Sequence, residues 1–95
     1  MIANNQLVEQ YELVKRIDYI FDGCPKIKGA IYRIIRGPES KFMWDINYYC
    51  KIENEFDFYI PSAPFGTSIE ETENKLFKYV KRFEKAVAWN INESF

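Results

Sequence analysis

Residues 41–60 read KFMWDINYYCKIENEFDFYI. Every even position from 42 to 52 is apolar: Phe42, Trp44, Ile46, Tyr48, Cys50 and Ile52. Lys41, Asp45, Asn47 and Lys51 stand between them, with Met43 and Tyr49 as exceptions. The same parity resumes with Phe56, Phe58 and Ile60 against Glu55, Asp57 and Tyr59. Side chains alternate faces along a strand, so the stretch predicts two strands that each bury one face. They run from about Lys41 to Ile52 and from about Phe56 to Ile60, with Glu53, Asn54 and Glu55 as a tight turn. A hairpin register follows. It pairs Ile52 with Phe56, Cys50 with Phe58 and Tyr48 with Ile60 on the apolar side, and Lys51 with Asp57 and Tyr49 with Tyr59 on the other.

Upstream, Ile27 to Arg36 is rich in β-branched residues and reads as a strand, closed by the turn Gly37-Pro38-Glu39-Ser40. Ala30, Tyr32 and Ile34 are expected to face inward, because the other parity would bury Arg33 without a partner. Before that strand, Leu7, Tyr11, Val14, Ile17 and Phe21 recur at helical spacing. A helix is predicted over residues 4–22, stopped by Gly23 and Pro25, with Glu12 paired to Arg16 and Lys15 to Asp18. Downstream, Pro61 and Pro64 mark a loop. Ser68 followed by Glu71 is a capping box, and Ile69, Leu76, Val80, Phe83 and Val87 line one face of a second helix reaching about Ala88. The expected fold is α+β in the order α-β-β-β-α. A three-stranded antiparallel meander carries both helices on one face, and residues 1–95 form a single small domain.

Composition narrows the function classes. Eight Phe, seven Tyr and two Trp in 95 residues can fill a core without metal or disulfide. Cys24 and Cys50 read as buried thiols, with a Cys24–Cys50 disulfide as the alternative. The start Met-Ile-Ala-Asn-Asn-Gln lacks a basic region followed by an apolar run, and no stretch is apolar enough for a membrane span, so a cytoplasmic protein without membrane contact is expected. The net charge of −1 argues against a strong grip on nucleic acid.

Motifs that carry chemistry are absent from the sequence. There is no histidine, and the glycines at 23, 29, 37 and 66 form no phosphate loop. Asp45, Glu55 and Asp57 share one strand face and read as a solvated polar surface. No catalytic, cofactor-binding or metal-binding residue is predicted, and no cofactor. The element order resembles that of double-stranded-RNA-binding domains. That family implies a basic second-helix start, where this chain has Glu70, Glu71 and Glu73. The run from Tyr59 to Leu76 is loosely similar to the end of the HicB-type antitoxin domain, through generic turn and capping residues.

What remains is surface. If Ala30, Tyr32 and Ile34 point inward, then Ile31, Ile35, Met43, Tyr49 and Tyr59 lie on the open face of the sheet with Arg33 at its rim. These six residues are the candidate interface. The expected function is a small non-enzymatic binding module acting by protein–protein contact, such as an adaptor, an inhibitor or an antitoxin-like regulator, with a protein partner or a homodimer. The alternative is a nucleic-acid-binding domain that stacks bases on Tyr49 and Tyr59 beside Arg33, Lys41 and Lys51. The C-terminal Trp89, Ile91 and Phe95 are expected to dock on the chain's own sheet or on another chain rather than on a membrane.

Overall fold

The computed structural model describes residues 4–95. The first three residues of the start read above as leaderless lie outside the described residues. The chain is mixed α+β and mostly strand. Strands β1 (Gln10–Tyr19), β2 (Ile27–Arg36), β3 (Phe42–Ile46) and β5 (Phe65–Gly66) form an antiparallel sheet in the order β1-β2-β3-β5. Strands β4 (Tyr48–Ile52) and β6 (Ala86–Ile91) form a second, two-stranded sheet. Helix α1 (Ile69–Val80) continues into a 3-10 segment, Lys81–Lys85.

The parity of residues 42–52 survives. Trp44, Ile46 and Cys50 are buried in one cluster with Ile27, Ile31, Leu76, Tyr79, Val80 and Phe83. The single strand expected there is broken at Asn47 into β3 and β4, which belong to different sheets. Asn47 makes the corner by holding Lys28: its Oδ1 accepts from the Lys28 N–H at 2.8 Å, and its own N–H donates to the Lys28 carbonyl at 3.0 Å.

The first helix does not form. Residues 10–19 are β1, which pairs with β2 in the largest ladder of the molecule. A bulge explains the helical appearance. Leu13 faces Tyr32 and Lys15 faces Ile31, so Val14 is an extra residue between them. Tyr11 and Leu13 therefore lie on one side of the sheet, and Ile17 and Tyr19 on the other. A period of two with a one-residue slip mimics a period near 3.6 over this length. The expected ion pairs change accordingly: Glu12 pairs with Arg33, Lys15 with Glu73 at 2.5 Å and Asp18 with Lys26 at 3.2 Å.

The face of β2 is also reversed. Ile27, Gly29 and Ile31 point toward α1, and Ile27 and Ile31 are fully buried. Arg33 shares this parity but is not buried, because the covering helix no longer lies over it; it reaches solvent and binds Glu12. The burial penalty that favoured the opposite assignment never arises.

The hairpin expected between residues 41–52 and 56–60 shrinks to one bridge, Cys50 to Tyr59. Phe56 is fully exposed. The place beside β4 is taken by β6, which pairs Tyr48 with Ile91 and Cys50 with Trp89. Helix α1 accordingly ends at Val80 and not near Ala88. Both cysteines are free thiols, Cys50 buried and Cys24 partly so.

Two glycines set how closely α1 lies on the sheet. A Cβ on Gly66 would meet the Thr72 hydroxyl at 2.1 Å, and one on Gly29 would meet Leu76 Cδ2 at 2.7 Å. Only glycine allows this approach. The helix starts as its sequence signals: Ser68 Oγ accepts from the Glu71 N–H at 3.1 Å, and Glu71 reaches back to the Thr67 hydroxyl. Ser68→Ala is expected to lower stability by about 1 kcal/mol. Superimposable urea melts of the two proteins would show that Thr67 and Glu71 hold the helix start unaided.

Candidate functional site

The sheet side opposite α1 is divided in two. The C-terminal segment covers one half. Asn92 is buried there; its amide donates to Asp45 Oδ1 at 3.0 Å and to the Ile46 carbonyl at 2.8 Å, and the Arg16 guanidinium sits 5.3 Å from the Phe95 ring centre. Burial raises the Asp45 carboxyl above its ordinary pKa, while the Ile46 N–H and the Asn92 amide partly offset this. The other half, toward the far end of the β1–β2 hairpin, carries Tyr11, Leu13, Tyr32, Ile34 and Met43 by register. Tyr11 and Tyr32 meet edge to face at 6.5 Å.

Strand β1 is the edge of the four-stranded sheet, and its residues from Gln10 to Arg16 are exposed on both faces. Leu13 and Val14 are exposed large apolar side chains along it, and Ile20, just past its end, is 74% exposed. A ten-residue edge strand with apolar residues in water is an open template for another strand. The bulge at Val14 interrupts that template, leaving Lys15–Tyr19 as its regular part.

On the helix side, a groove of about 480 Å³ runs between α1 and the loop after Tyr59. Trp44, Tyr59 and Tyr79 supply aromatic surface, Pro61 and Ala63 form a wall, and Lys75, Lys78 and Arg82 provide charge. Tyr79 organises this side. Its hydroxyl donates to the Tyr59 carbonyl at 2.6 Å and accepts from the Cys50 N–H at 3.1 Å. The Tyr59 and Tyr79 rings lie 5.9 Å apart, with the Arg82 guanidinium 4.9 Å from the first and 5.4 Å from the second. Arg82 is oriented by Glu55, whose Oε1 accepts from Arg82 Nη2 at 2.6 Å. That bond, with the Ile52 N–H, holds the Glu55 carboxyl below its ordinary pKa.

The structure does not gather the six candidate interface residues into one patch. Ile31 is fully buried against α1, which corrects its expected exposure. Arg33 is exposed on the helix-side parity of β2 and bound to Glu12, and Ile35 is exposed at a slip in the β1–β2 register. Met43 lies on the opposite side, as does Tyr49, whose hydroxyl is pushed up by burial and by the nearby Asp45 charge. Tyr59 belongs to the groove. Tyr49 and Tyr59 therefore form no common stacking platform. Asp45, Glu55 and Asp57 are likewise separate, each with its own partners: Asn92 for Asp45, Arg82 for Glu55 and the Phe58 N–H for Asp57.

No family model, curated protein or solved structure matches this chain. Geometry alone therefore supports the functional reading. Among the described residues there is no group of three or more His, Cys, Asp or Glu side chains placed to hold a metal ion, and no helix long and apolar enough to cross a membrane. The groove residues were legible only in part. Lys75, Lys78 and Arg82 recur at i, i+3 and i+7, which puts them along one helix face, but nothing in the sequence placed the Tyr59 loop opposite them.

Proposed function

We propose that this chain is a small non-enzymatic binding module that acts by protein–protein contact, with β1 as the contact element and a second copy of the chain as its partner. The observation that carries the reading is the exposed edge strand with unburied apolar side chains on it.

The regular part of that edge is self-complementary. An antiparallel pairing centred on Ile17 sets Arg16 against Asp18 of the second copy, twice by symmetry, and Lys15 against Tyr19. Opposite charges thus face each other with no like-charge pair between residues 15 and 19. The two copies would form one continuous eight-stranded sheet from their four-stranded sheets.

Light scattering at tens of micromolar is expected to give a mass near twice 11.4 kDa. Arg16→Asp should weaken the dimer about tenfold, by roughly 1.4 kcal/mol, because it opposes two carboxylates across each half of the contact. Adding Asp18→Arg to it should restore association, at the loss of an exposed ion pair to Lys26 that is worth at most about 1 kcal/mol to the fold. A monomer at all concentrations would overturn the pairing of copies. A dimer indifferent to Arg16→Asp would overturn the register.

A further inference from the structure

We infer that the groove between α1 and the Tyr59–Pro64 loop is a binding site for a small planar aromatic anion, a ring carrying one phosphate or carboxylate group. The inference is independent of the β1 contact, which lies on a different element.

Charge distribution is the first argument. The chain as a whole is slightly acidic, with 14 acidic and 13 basic residues. The groove lining nevertheless contains three cations and no acid: Lys75, Lys78 and Arg82. Glu71 and Glu55 neutralise two of them from outside the lining, through contacts of 3.2 Å to Lys75 and 2.6 Å to Arg82. Lys78 is exposed and makes no ion pair among the described residues. One uncompensated positive charge therefore stands over the groove. Apolar walls beside it weaken the screening of that charge by water.

Shape and surface give the second argument. The volume of about 480 Å³ falls within the range of small-molecule sites and well short of a polymer channel. Its lining includes four rings: the nearly buried Trp44 and Tyr79 at its base, and Tyr59 and Pro61, which are more exposed. Tyr59 is half exposed, and its ring is held in the groove by Tyr79 and by the Arg82 guanidinium 4.9 Å from its centre, which leaves part of the ring accessible to a ligand. Aromatic faces accept planar rings, and lysine supplies a point charge to an anion that such a ring carries. A nucleic-acid strand is disfavoured by Glu70, Glu71 and Glu73 in the first turns of the same helix, which would repel the next phosphate.

The test is a titration of the isotope-labelled protein followed by amide NMR shifts. Adenosine monophosphate and indole-3-carboxylate serve as ring-plus-anion probes, and adenosine and inorganic phosphate as the separate halves. Saturable shifts confined to the groove are expected from at least one complete probe, at concentrations where neither half alone saturates. The two complete probes distinguish phosphate from carboxylate. Lys78→Glu should weaken that binding at least tenfold, and Tyr59→Ala several-fold, with far-UV circular dichroism unchanged for the exposed Lys78→Glu. Absence of saturable shifts from both complete probes would overturn the inference. So would complete probes that bind no better than adenosine, or a Lys78→Glu protein that binds as well as the parent.

Discussion

Trp44→Ala is expected to destabilise the domain by about 3–5 kcal/mol. Trp44 is 5% exposed and sits where β3 meets α1, with its ring 5.8 Å from that of Tyr79. Its ladder partner Ile31 is fully buried beside it. Truncation removes the largest side chain of the cluster. The sheet below and the helix above cannot easily collapse into the void, because Leu76 and Thr72 of the helix already pack closely on the backbone at Gly29 and Gly66. A domain of this size holds a margin of only about 5–15 kcal/mol, so the loss takes a large share of it. Urea denaturation followed by circular dichroism measures the effect. A midpoint unchanged from the parent would mean that the even parity of β3 does not face the core.

Tyr79→Phe is expected to cost about 2–3 kcal/mol, although the change removes a single oxygen. The hydroxyl joins two elements by donating to the Tyr59 carbonyl and accepting from the Cys50 N–H. Without it, a buried N–H and a carbonyl lose their partner together, and the isolated bridge from Cys50 to Tyr59 loses its brace. Burial also raises the Tyr79 pKa above its ordinary value, with the coulombic effect of Cys50 adding to the rise. In the unfolded chain the phenol ionises near pH 10, whereas in the fold it stays protonated. Its contribution is therefore complete below about pH 10 and is lost as pH climbs beyond that value. The parent should lose stability more steeply than Tyr79→Phe between about pH 10 and 12. Parallel alkaline stability curves would show that the phenol is not held protonated by the fold.

Residues 42–52 display their buried face in the sequence because a strand's alternation survives any choice of neighbour: Trp44, Ile46 and Cys50 are inward whichever strand pairs beside them. The start of α1 is equally local, since Ser68 and Glu71 satisfy backbone groups within one turn. The mixed α+β class follows from such local signals. Three features depend on partners distant in sequence, and there the local signals mislead. Val14 as a bulge turns the β1 alternation into an apparent helix, and only pairing with β2 shows the slip. Residues 86–91 alternate as well as they fit a helical stripe, and the open edge of β4 decides for a strand. Residues 56–60 carry a strand's parity but lose that edge to β6, which offers a longer ladder than a segment ending at Pro61.

The candidate surfaces divide in the same way. The sequence by itself determined which residue types were available: aromatic rings, balanced charge and no histidine. The tertiary structure alone decided that Ile31 is buried, that Tyr59 stands over Tyr79 and Arg82, and that β1 is left as an edge. Alternation and capping are set by neighbours within one turn or one strand. Edges and grooves are set by which elements win the competition for a shared partner, and that competition is settled by burial summed over the whole chain.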